Sequence, residues 1–111
     1  MIGVVAALAM VAGAAAQQGT PKVFELSLVK GRLADASDTV RVRKGDRVEL
    51  RWSSDRPISL HLHGYDIEKT VSPQAPVVMA FVAKLAGRFP VSEHSRGAGH
   101  HPAVLYLEVH P

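Results

Sequence analysis

The side chains in this sequence best suited to chemistry are its six histidines. His61 and His63 stand two apart, His94, His100 and His101 crowd one glycine-containing loop, and His110 sits next to the last residue. Cysteine is absent. Imidazole suits copper(II), zinc and nickel, whereas the lack of any thiol excludes zinc-finger, iron–sulfur and thiol chemistry. Residues two apart on a strand share a face, so His61 and His63 are expected to point the same way. Glu93, directly before His94, is a candidate oxygen donor beside the loop histidines. Each candidate has a plainer alternative. His61 reads equally as a solvent-facing or hydrogen-bonded strand residue, the loop histidines as a solvated polar turn, and Glu93 as a surface carboxylate. His110 is expected to be idle because chain ends are usually frayed, and Met79 is expected in the core.

Catalytic arrangements are poorly supported. Ser59, Ser92 and Ser95 lie near histidines in sequence, but none sits in a nucleophile-elbow context. Glu93–His94 is half of a zinc-protease helix motif without the second histidine at helical spacing. No enzymatic activity is expected.

The elements that must position these residues are strands. From Lys22 onward apolar and polar residues alternate at period two, with short Gly, Asp, Ser and Pro breaks. Runs at 24–29, 39–43, 47–52, 58–65, 77–82, 87–91 and 104–109 give about seven strands. Residues 39–52, broken at Lys44, Gly45 and Asp46, are expected to form a hairpin or a strand–turn–strand unit. Residues 31–38 are expected to hold a turn or a short helix. Pro90 cannot donate to a ladder and is expected at a sheet edge or a bulge. Seven short strands without a convincing helix favour an all-β sandwich.

Residues 1–16 are almost uninterrupted Ala, Val, Leu, Met and Gly, and end in small residues. They read as a signal peptide, with an uncleaved anchor or a buried helix as alternatives, although no Lys or Arg precedes the run. The expected organisation is signal peptide 1–16, linker 17–22 and a single domain 23–111, located in the periplasm or secreted, with no membrane contact after cleavage. An exported domain without disulfides must rely on its core, its hydrogen bonds or a ligand. The net charge is +3. Basic and acidic residues are interleaved and aromatics are only 5% of the chain. No basic stripe with aromatics is seen, so nucleic acid is not an expected partner.

Three stretches together resemble the cupredoxin family of copper proteins. Val40-Arg41-Val42-Arg43-Lys44-Gly45-Asp46-Arg47-Val48-Glu49-Leu50 is similar to the family's strand, Gly-Asp turn and next strand. His61-Leu62-His63-Gly64-Tyr65-Asp66 falls where the first copper-binding His is expected. Gly87 through Phe89 and Val91 to the His-rich loop and last strand is similar to the family's Gly-x-Tyr-x-Phe-x-Cys strand, ligand loop and closing strand. The resemblance implies a Greek-key β-sandwich of the plastocyanin and azurin type. It also exposes a departure: the position of the family's Cys holds Glu93, or Ser92 if the loop is aligned through Gly97-Ala98-Gly99. In that second alignment His100 replaces the axial Met and Ser95 the second His.

The blue copper centre needs a thiolate, so the resemblance implies at most a nitrogen and oxygen site at one pole of the sandwich. Its expected ligands are His63, His94, His100 and His101, with His61 and Glu93 as further candidates. Copper(II) is the expected ion on the usual affinity order, in a pale tetragonal centre that weakens as the imidazoles protonate. The expected function is copper sequestration or delivery, with a copper-handling or redox protein as partner. The alternatives are a metal-free structural or interaction module and, last, electron transfer.

Overall fold

The computed structural model describes residues 19–35, 37–94 and 102–111, and every regular element among them is a strand. The expected signal segment 1–16, and with it His100 and His101, lies outside the described residues. The strands are β1 (Lys22–Val29), β2 (Arg32–Leu33), β3 (Thr39–Arg43), β4 (Arg47–Ser54), β5 (Ile58–Leu62), β6 (Ile67–Val71), β7 (Val77–Val82), β8 (Gly87–Glu93) and β9 (Ala103–His110). They form two sheets, ordered β2-β1-β4-β7 and β3-β9-β8-β5-β6. The two faces that meet carry Leu28, Leu50, Trp52 and Met79 from one sheet and Leu60, Leu62, Val91, Leu105 and Leu107 from the other, all almost fully buried. Each such side chain contributes about 1.5–3 kcal/mol on leaving water. With no disulfide, this apolar layer supplies the main drive to fold.

Three sequence expectations change in detail. Residues 39–52 are not a hairpin: β3 pairs in parallel with β9, and β4 pairs with β1 and β7 in the opposite sheet. Chain reversal at 44–46 therefore arches across the sandwich. Gly45 takes the left-handed φ of 97°, and the Asp46 carboxylate accepts the Arg43 backbone N–H at 2.8 Å. Val40 and Val42 then face Val48 and Leu50 across the core instead of pairing with them.

The strand count rises from seven to nine. The run 58–65 ends at Leu62, turns through Gly64 and Asp66 at positive φ, and returns as β6 antiparallel to β5. β6 is masked in the sequence because Glu68, Lys69 and Thr70 are all exposed and interrupt the alternation. β2 is two residues within the 31–38 break, where a turn or short helix was expected.

Pro90 lies in β8, an interior strand, so it is not at an edge. Its carbonyl accepts the His63 N–H at 3.0 Å, but it has no N–H to return. The ladder between β5 and β8 loses its reciprocal bond there, which is why β5 stops at Leu62. A bulge follows one step later: Val91 pairs with Leu105 and Ser92 with Ala103, leaving Val104 as the extra residue.

Candidate functional site

Strand alternation and pairing decide which histidines meet. In β5, Ile58, Leu60 and Leu62 are buried, so Ser59, His61 and, beyond the strand end, His63 project from the outer face. The antiparallel neighbour β8 sets Ser92 opposite His61, and His94 donates its N–H to the Ser59 carbonyl at 2.8 Å. His94 thus joins the same outer face. The His61 and His63 ring centroids are 4.4 Å apart and those of His61 and His94 5.3 Å, both edge to face. On the other side of β5, β6 sets Glu68 opposite His61 and Thr70 opposite Ser59, whose hydroxyls lie 3.0 Å apart.

Carboxylates rim the cluster. His61 Nε2 lies 3.4 Å from Asp66 Oδ1, and His94 Nδ1 lies 3.9 Å from Glu68 Oε2. His61 is the anchored member, with its ring 20% exposed and Nδ1 shut off from solvent without a hydrogen-bond partner among the described residues. His63 and His94 are exposed. As they stand, the rings pack against one another, and among the described residues no three His, Asp or Glu side chains form a finished metal cage.

Glu93 goes elsewhere. It pairs with Leu60, on the opposite face of β8 from Ser92 and His94, and lines a recess of about 660 Å³ with Lys30, Arg32 and Asp38 at the pole of the sandwich. The face of β5 turned to that side carries Ile58 and Leu60. Among the described residues this recess is lined by carboxylates but by neither thiolate nor imidazole, so a thiolate copper centre does not fit there. Ser92, the other residue aligned with the family's Cys, faces the imidazoles and is 4% exposed. The expected convergence of His63 and His94 at the pole is therefore corrected: with His61 they meet on the outer face of the five-stranded sheet. His110 lies apart, at the far end of β9 beside Glu108. Met79 is in the core.

Sequence reasoning missed Glu68 and Asp66. The signal that would have found them is the turn at Gly64: a hairpin reversing there sets Glu68 opposite His61.

No protein-family profile matches the sequence, and no curated protein matches it. Solved structures do. A heme-copper terminal oxidase dimer is similar at TM-score 0.64 and 17% identity, over 85% of this chain and 67% of that one. A copper binding protein in its apo form is similar at 0.58 and 11%, over 78% and 85%. Auracyanin A, a blue copper protein from Chloroflexus aurantiacus, is similar at 0.59 and 15%, over 81% and 99%. At such identities the shared property is the arrangement of strands, and by that arrangement this chain has the cupredoxin-like β-sandwich fold.

Proposed function

We propose that this chain binds copper(II) through nitrogen and oxygen donors, outside the cell membrane, and serves in copper sequestration or delivery. The observation that carries this reading is the gathering of His61, His63 and His94, from two strands, on one face with Asp66 and Glu68 beside them. The copper proteins that share its fold support it, as does the absence of any sulfur ligand except methionine.

In this reading His61 is the fixed donor, because its ring is packed between two neighbours and its Nδ1 has no other partner among the described residues. His63 and His94 are exposed and turn about their side-chain torsions to bring a ring nitrogen to the same point. Asp66, 3.4 Å from His61 Nε2, would accept its N–H and hold its tautomer, the usual task of a carboxylate behind a ligand histidine, and Glu68 adds negative charge 3.9 Å from His94. This nitrogen and oxygen donor set would hold copper(II) without thiolate charge transfer, which suits retaining the ion more than passing electrons. Ligand imidazoles must be deprotonated, so protons compete with the metal.

Titration of the full chain with copper(II) against a competing chelator tests this. One equivalent should bind, and His61→Ala, His63→Ala and His94→Ala should each weaken it by about tenfold or more. Undiminished stoichiometric binding in the triple variant refutes the site. That no finished cage stands among the described residues favours a second reading, a metal-free interaction module, which predicts the same melting temperature with and without copper.

A further inference from the structure

Basic and acidic residues are interleaved in sequence, but the fold sorts them by strand end. The strand pairings bring the start of β1, the end of β3, the start of β4, the end of β7, the start of β8 and the end of β9 to one pole, opposite Glu93. Four cations there, Arg43, Lys44, Arg47 and Lys84, are exposed and have no ion pair among the described residues. The two turns that carry them are tied together: Gly45 N–H donates to the Ala83 carbonyl at 2.8 Å, and Ala83 N–H to the Asp46 carbonyl at 2.8 Å. The acids of this pole are already engaged, Asp46 with Lys22 and Glu108 with Arg41 and Arg88. Elsewhere some cations are matched, as where Arg51 is bracketed by Glu25 and Glu49, while Lys30, Arg32 and Lys69, which have no ion pair among the described residues, stand away from this pole.

Apolar side chains stand among these cations. Leu85, next to Lys84, is 49% exposed and Val82 is 40% exposed. Leu85 is held in that position: its N–H donates to the Tyr65 hydroxyl at 3.0 Å, and the same hydroxyl donates to its carbonyl at 2.8 Å. A half-exposed leucine, its backbone held by Tyr65, at the same pole as these cations combines the two attractions of an anionic bilayer surface, apolar insertion and charge. Lys22 opens β1 at this pole.

We propose that this cationic pole docks the domain on a membrane surface rich in anionic phospholipid, with Leu85 entering the headgroup layer and the imidazole face turned sideways to solvent. The pole belongs to the folded domain and persists if 1–16 is removed. The proposal does not depend on metal binding.

The test is cosedimentation of the full chain with phosphatidylcholine vesicles, with and without phosphatidylglycerol. Binding should require the anionic lipid and weaken at high salt. Arg43→Ser, Arg47→Ser and Lys84→Ser combined should lower the partition coefficient on the order of a hundredfold, and Leu85→Ser about fivefold. A control with the same change in net charge, Lys30→Ser, Arg32→Ser and Lys69→Ser, should change it little. If the triple variant loses its melting transition, Arg47→Ser and Lys84→Ser are scored singly, at about fivefold each. Equal binding to neutral and anionic vesicles, equal loss in both triple variants, or no loss in the pole variant overturns the proposal. So does retention on an acidic polypeptide without vesicle binding, which would give the pole to an acidic protein instead.

Discussion

Gly64 is the joint on which the imidazole face turns, and its replacement by alanine is the sharpest test of this packing. The residue links His63 to Tyr65 at φ 88°, and a Cβ built on it would lie 2.4 Å from Cδ1 and 2.7 Å from Cε1 of Phe89. Real side chains do not approach so closely, so the ring or the turn must move. The Phe89 ring is not free to do so, because it packs edge-on against Tyr65 with centroids 5.1 Å apart, and Tyr65 in turn lies 4.9 Å from Phe81. Two costs therefore add: about 1 kcal/mol for an L residue in the left-handed region, and about 1–3 kcal/mol for overpacking.

Gly45 separates the two costs, since it has a φ of 97° but nothing within 4 Å of a built Cβ. Gly45→Ala should therefore cost only about 1 kcal/mol, against about 2–4 kcal/mol for Gly64→Ala. Urea unfolding at pH 7 measures both, and the larger loss is a sizeable share of the ~5–15 kcal/mol that holds a domain of this kind together. Gly64→Ala should also lower copper affinity, because the turn that carries His63 must shift. Equal destabilisation of the two variants would refute the argument that the Phe89 ring occupies the space a side chain needs.

Two further outcomes follow from polar groups with unusual surroundings. His61→Leu should raise the melting temperature of the metal-free protein by a few degrees, because a buried unpaired nitrogen costs about 1–3 kcal/mol, while it lowers copper affinity; a lower melting temperature would show that Nδ1 is satisfied in solution. The Asp55 carboxylate is held below its ordinary 3.8, chiefly because it accepts the Lys30 backbone N–H at 3.1 and 3.2 Å. A depressed folded-state value means this support is present above about 3.8 and lost as pH falls through the lower folded value. Asp55→Ala should therefore be less stable than the parent at pH 7, with the gap closing below pH ~3.8; a gap that persisted undiminished at pH 2 would contradict that.

The site residues became legible in unequal measure. That His61 and His63 share a face follows from period-two alternation alone, and the buried Leu60 and Leu62 fix which face it is. That His94 joins them and Glu93 does not depends on one step of register between β5 and β8, and a shift of one residue would exchange them. Sequence spacing placed both in the same loop and could not separate the two sides of a strand. Asp66 and Glu68 were hidden for a different reason: an edge strand with one solvated face carries little apolar pattern, so β6 left no alternation to read.

The amino-acid order by itself determined the all-β class, the strand runs and their inward faces, the absence of a sulfur centre, and a pool of imidazoles fit for copper(II). These are local properties, written in alternation and composition. Only the tertiary structure decided that Thr39–Arg43 and Arg47–Ser54 part into opposite sheets, that the described imidazoles gather on an outer face instead of a pole, and that interleaved Lys and Arg collect at one end. Those outcomes depend on which strands pair and in what register, and pairing is set by burial of the whole core at once, a property no single stretch of sequence carries.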